Sequence, residues 1–395
     1  MKAIPIIAMS RGLRSFYLGY TSFLVPLFLY HNHFSYIDVG IYSLAATVFS
    51  SIYVLVSGFL GDLYSKKFSL ILMSGLPAVA FIIFLTSSNF YILFATSIFG
   101  LSFSAVGGGA GGGPVAPVMN ALVADNVTIN RTGIYSKLTI ISILGAVLGG
   151  GTSTFLENVT KLYFTYLFLI AVILTAVSII FMFYIKEERR KPEKEEKKEI
   201  LPMKSGRDIL MVSFAGLMGS LGLGVVTPLM SLYFKARGIQ VSEISDIFTI
   251  SYIVSGIGII FSPFFERILG SVNAITVFRT LGSALFVVIP FVSPFLAGAL
   301  YIARTGIYQM ALPIRQSFQM TIFDSSERAR GGSLAGISRR LPYGISTTIG
   351  GYLMSIGAYV VMFSFAGIVS LFDPILYYLF FSKREKSLKS KDETL

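Results

Sequence analysis

Residues 186–208 read KEERRKPEKEEKKEILPMKSGRD. The stretch is dense in charge and is broken only by Pro192, Pro202 and Gly206. Such a run cannot bury enough apolar surface to fold alone, so it reads as a solvated tether. The 185 residues before it and the 187 after it are overwhelmingly apolar. The tether therefore joins two near-equal parts, 1–185 and 209–395, the second ending in a basic tail.

Mean hydropathy is +0.74. Only 13% of residues are charged, against about 25% in soluble domains. The bilayer is the expected solvent. A spanning helix needs about 20 mostly apolar residues. Runs of that length fall at 13–33, 37–60, 68–87, 90–121, 134–156 and 162–185, then at 209–234, 244–265, 272–291, 295–322, 334–356 and 358–381. The expected fold is an all-α membrane protein of twelve transmembrane helices in two pseudo-symmetric six-helix bundles. With the N-terminus inside, 27 of the 32 Lys and Arg residues fall on inner segments and their flanks, Arg11, Arg14, Arg279 and Arg339 among them. Only Lys161, Lys235 and Arg237 fall outside. That bias puts both termini in the cytoplasm. It also accounts for the +12 net charge without nucleic acid, leaving anionic headgroups on the cytoplasmic side as a contact.

Shifting the second part back by 199 residues aligns Pro313 with Pro114, Asp324 with Asp125, Arg330 with Arg131 and Gly332 with Gly133. Two parallel repeats follow, an arrangement secondary transporters use, with a site at the midplane.

The loop after the second run reads GFLGDLYSKK at 58–67. It resembles the signature of the major facilitator superfamily, G-x-L-x-D-x-x-G-[RK]-[RK]: Gly58, Leu60, Asp62, Lys66 and Lys67 match, and Ser65 replaces a glycine. The resemblance implies alternating access, with Asp62 facing the start of the eleventh span near Gly331 and Gly332 as a cytoplasmic latch. The residues support this on their own terms. Gly58 and Gly61 would allow close backbone approach, Arg131 in the next inner loop suits Asp62, and Glu266 with Arg330 would be the counterpart pair. Without the glycine at Ser65, a tight or strained turn is expected.

The fourth run carries GGGAGGGP at 107–114. Glycine costs about 1 kcal/mol per helical position and proline about 3, so a bend is expected there. Its freed peptide groups, at Gly109 for instance, would face a substrate cavity. No Lys-Ser/Thr follows the glycines, which excludes a phosphate loop. The chain has no Cys, and His31 and His33 are its only histidines; with Asp38 nearby they are too few for a closed metal site. Asn158-Val159-Thr160 fits a glycan acceptor pattern.

Two arginines lie inside a span. Arg304, Tyr308, Ala311 and Arg315 follow at 4, 3 and 4 residues, on one face of the tenth helix. Counting from the inner ends puts Arg315 level with Asp373, so these two are expected to pair. Arg315→Gln should then cost stability and be partly rescued by Asp373→Asn. Arg304 is left to meet a substrate with Tyr308, Gln309, Gly109 and Tyr20.

The function read from this is secondary transport of a small solute, an anionic or polar organic solute or drug-like compound, driven by its own gradient or by an ion gradient, the proton being the candidate coupling ion. The chain is expected to be a monomer in the plasma membrane, with no cofactor. The alternative is an integral-membrane enzyme acting on lipid, which would need a cluster of His, Asp, Glu or Ser at one depth. A channel is disfavoured by two unlike repeats.

Overall fold

The computed structural model of the chain describes residues 3–101, 103, 113–116, 118–119, 122–123, 131–185, 204–324 and 328–392. The glycine run 107–112, with Gly109, lies outside them, as do Asp125 and the tether residues 186–203. The described regular structure is helical. Among the described residues, eight helices are long and apolar enough to cross a membrane.

The helices are α1 (Ala3–His31), α2 (Tyr36–Leu63), α3 (Lys66–Thr86), α4 (Phe90–Ala95), α5 (Arg131–Val159), α6 (Tyr163–Phe183), α7 (Gly206–Val226), α8 (Met230–Ala236), α9 (Val241–Leu269), α10 (Ser271–Val288), α11 (Pro294–Ile322), α12 (Arg328–Ile337), α13 (Arg340–Ser355) and α14 (Tyr359–Asp392). Helices α1 and α11 have 29 residues each but carry Arg11 and Arg14, and Arg304 and Arg315. The seventh span is interrupted at Pro228, where a 3-10 turn joins α7 to α8. The eleventh divides at Arg339, whose Nε donates to the Ala335 carbonyl at 2.9 Å, and Pro342 sits in the first turn of α13, where a missing N–H costs little.

The fourth span breaks earlier than its glycine run suggests. Asn89 caps α4 by accepting from Tyr91 and Ile92 N–H. The helix tightens to 3-10 over Thr96–Phe99 and ends at Gly100, φ 70°. Gly113 is again left-handed, at φ 71°, a backbone that glycine adopts without steric cost.

The chain forms two compact units, Met1–Lys191 with Pro228–Ile253, and Pro192–Thr227 with Val254–Leu395. In the first, α1 packs along α5 and α6. The crossing depends on small residues: a Cβ at Gly149 would lie 1.8 Å from the Phe16 carbonyl oxygen. Within lipid, close backbone approach of this kind drives helix association. Phe28, Phe81, Phe84, Phe164 and Phe168 form an aromatic cluster between α1, α3 and α6. The start of α9 joins this unit through stacking of Phe248 on Phe23, centroids 4.8 Å apart. In the second unit, α14 packs against α7 and α10, and α11 against α10. Its core runs from Ile209 and Val212 through Phe278, Ile314 and Phe318 to Tyr377 and Phe381. Leu148, Ile260 and Leu379 are among large apolar side chains left exposed, which in a bilayer meet lipid at no cost.

Candidate functional site

The second unit buries a ladder of arginines and aromatic rings around a single carboxylate. Helix α10 supplies Arg279, Gly282 and Phe286, which the 3- and 4-residue spacing puts on one face. Helix α11 supplies Arg304, Tyr308, Gln309 and Arg315, and α14 supplies Asp373 and Tyr377; all are buried.

Arg315 Nη1 donates to both Asp373 oxygens, at 3.1 and 3.0 Å. Arg279 Nη1 donates to the same carboxylate. Asp373 is 1% exposed, so two guanidiniums share one counter-ion away from water. Glycine makes the room: a Cβ at Gly219 would stand 3.0 Å from Asp373 Cβ, Cγ and Oδ2. The rings continue the ladder. Arg315 lies 5.2 Å from the Tyr377 centroid. Arg279 and Arg304 each lie 4.7 Å from the Tyr308 centroid, and Arg304 lies 3.9 Å from that of Phe286. Cation–π contacts of this kind give about 2 kcal/mol when desolvated.

Arg304 is 4% exposed. Its Nε donates to the Gly282 carbonyl at 3.2 Å, while Nη2 has no hydrogen-bond partner. Among the described residues it forms no ion pair. Arg279 Nε and Arg315 Nε and Nη2 are likewise buried without partners.

Three arginines depart from the sequence reading. Arg279 is not an inner-flank charge: it is 6% exposed, inside α10. Its register with Gly282 and Phe286 was the available signal. Arg11 and Arg14 are likewise buried within α1 rather than at the terminus. Arg11 Nε donates to Ser142 Oγ at 2.7 Å, and Arg14 Nε and Nη1 lack partners.

Tyr20, expected at the substrate, has its hydroxyl engaged within the protein. It is fully buried, and its hydroxyl donates to the Leu167 carbonyl at 2.8 Å, so its polar end is spent on packing α1 against α6. Of the latch residues, the side chains of Asp62, Arg131 and Arg330 lie outside the described set. Lys67 Nζ donates to the Phe183 carbonyl, and Lys66 opens α3. Glu266 accepts from Ser271 Oγ at 2.7 Å. Gly61 is close-packed, its Cβ position 3.3 Å from Val118 Cγ2, but a Cβ at Gly58 would meet nothing within 4 Å. Close approach at Gly58 is therefore not needed. Ser65 is not strained either: its backbone is extended, and its side chain accepts from Phe68 N–H as the cap of α3. Asp38 belongs to a capping box with Ser35, and no group of three or more potential metal ligands occurs among the described residues. Asn158 is exposed, its side chain donating to the Thr154 carbonyl.

A family model described as Major Facilitator Superfamily matches residues 7–302 and, in a second overlapping match, 212–394. The chain belongs to the Major Facilitator Superfamily. Membership makes it a multi-pass membrane transporter with a small-molecule substrate, and sets aside the lipid-enzyme alternative. Solved structures share the fold. A mutant of the nucleoside transporter NupG superposes with a TM-score of 0.74 at 11% identity, over 96% of this chain and 99% of that one. A D-xylose–proton symporter gives 0.73 at 13% identity, over 95% and 97%. The POT family transporter PepTSo gives 0.68 at 12%, over 97% and 98%. No curated protein matches the sequence.

Proposed function

We propose that this superfamily member is a secondary transporter for an anionic organic solute, and that Arg304 binds the anion. One observation carries the reading: among the described residues, the buried Arg304 has no carboxylate partner and no hydrogen-bond partner at Nη2, while the neighbouring Asp373 is occupied by Arg279 and Arg315. An arginine inside a membrane costs at least about 2.5–3.5 kcal/mol. A ligand that neutralises it recovers part of that cost, less what its own desolvation takes. Tyr308 and Gln309 stand beside it on α11 and would complete the contact.

Transport works by alternating access between the six-helix parts 1–185 and 209–395, with 186–208 and both termini in the cytoplasm of a plasma membrane. Withdrawing the buried Arg11, Arg14 and Arg279 from the inner charge count leaves its direction unchanged. Lysines on that side contact anionic headgroups, Asp62 with its loop partners latches one state, and the chain acts as a monomer. The proton is the proposed coupling ion. Glu157 supports this: in the first unit it accepts from Ser153 Oγ at 2.7 Å and Ser245 Oγ at 2.6 Å rather than from a cation.

Uptake of labelled organic anions into proteoliposomes, with and without a pH gradient, tests the proposal. Arg304→Gln should abolish saturable uptake and ligand-induced thermal stabilisation while leaving the unliganded melting point nearly unchanged. Normal transport by that variant would refute the role of Arg304.

A further inference from the structure

The charge of the arginine ladder deepens this reading, on which it rests. Three guanidiniums, Arg279, Arg304 and Arg315, are 6%, 4% and 2% exposed, and the carboxylate among them, Asp373, is 1% exposed. Arginine stays protonated in proteins, so these buried groups hold two positive charges beyond their counter-ion; Arg339, beside Arg315 at Gly216, is only half-buried and adds a third charge that water can reach. Of the other acids of this unit whose side chains are described, Asp324 is exposed and the rest are engaged elsewhere. Asp208 pairs with Arg384, Glu266 accepts from Ser271 Oγ, and Glu385 accepts from the backbone N–H groups of Ser271 and Val272.

The unused donors agree with the charge. Arg304 Nη2, Arg279 Nε, and Arg315 Nε and Nη2 are buried without hydrogen-bond partners. Each such donor forfeits the hydrogen bonds that water would give it. Arg304 and Arg279 flank one ring, each 4.7 Å from the Tyr308 centroid, so one small solute can reach both. A monoanion would leave one buried cation unbalanced. We infer that the transported solute carries two negative charges at neutral pH, as a phosphate monoester or a dicarboxylate does. Both offer several oxygens to guanidinium N–H groups, the geometry in which charge-assisted hydrogen bonds are strongest.

Calorimetric titration of the purified full-length protein separates the possibilities. The probes are sulfate against nitrate at equal ionic strength, methyl phosphate from pH 5 to pH 7, and succinate against its monomethyl ester. Sulfate should bind at least tenfold tighter than nitrate. Methyl phosphate should tighten about tenfold as its second proton leaves near pH 6, while sulfate stays constant. The sulfate preference should fall towards one in Arg304→Gln, and also in Arg279→Gln, which keeps the Arg315–Asp373 pair. The stronger of methyl phosphate and succinate tells the two chemistries apart. Nitrate binding as tightly as sulfate, with both weakened by Arg304→Gln, overturns the two-charge inference and leaves the anion role of Arg304 standing. No anion binding, or binding indifferent to Arg304, overturns both.

Discussion

Asp373→Asn should be the most damaging single change in the second unit. The aspartate holds Arg315 through two hydrogen bonds and Arg279 through a third. Removing its charge leaves two buried guanidiniums without a counter-ion. Breaking a buried pair by deleting one partner costs about 3–5 kcal/mol, a fall in melting temperature on the order of 10 °C for a unit of this size. Arg315→Gln is milder, because the Arg279–Asp373 pair survives and one excess cation disappears; about 1–2 kcal/mol is expected from the lost charged hydrogen bonds. The shared carboxylate also reverses an expectation drawn from the sequence. With Arg315 as the sole partner, Asp373→Asn would relieve Arg315→Gln. With Arg279 also bound, the double variant keeps one orphaned cation and should melt below Arg315→Gln, though above Asp373→Asn, which orphans two. The triple variant Arg279→Gln/Arg315→Gln/Asp373→Asn removes all three charges of the ion-paired network and should recover part of the loss. Thermal melts of the purified variants in one detergent check the order. Rescue of Arg315→Gln by Asp373→Asn, or an Asp373→Asn variant as stable as Arg315→Gln, would refute the three-member network.

Gly219→Ala would set a Cβ 3.0 Å from three atoms of Asp373, and overpacking of that order costs about 1–3 kcal/mol; thermal melts should show a loss that Gly58→Ala, in open space, does not. Ser65→Ala removes the cap that Phe68 N–H donates to at 3.1 Å and should cost about 1 kcal/mol, against a few tenths for Ser65→Gly, the ordering being the measurement. Asp62→Asn should weaken the cytoplasmic latch and shift the population towards the inward-facing state, read by labelling single cysteines introduced on either side of this Cys-free chain; unchanged labelling on both sides would dispose of the latch.

Properties that run along the chain were legible without coordinates. Hydropathy is additive over a window, so apolar runs separated by charge gave the helical membrane fold, and the GFLGDLYSKK loop pointed to the family that the model match shows. Depth is nearly as simple, because a helix rises 1.5 Å per residue; counting from helix ends brought Arg315 level with Asp373, and the structure places them 3.0 Å apart. What needed tertiary structure was which face each helix turns inward and how near its neighbour comes. Arg279 looked like one more inner-flank charge until α10 packed against α14 and brought it to Asp373. Nothing local in the sequence marks Gly219 as the residue that makes space for Asp373 while Gly58 makes space for nothing. A glycine's role depends on the atoms across the interface, and those belong to a helix more than a hundred residues away.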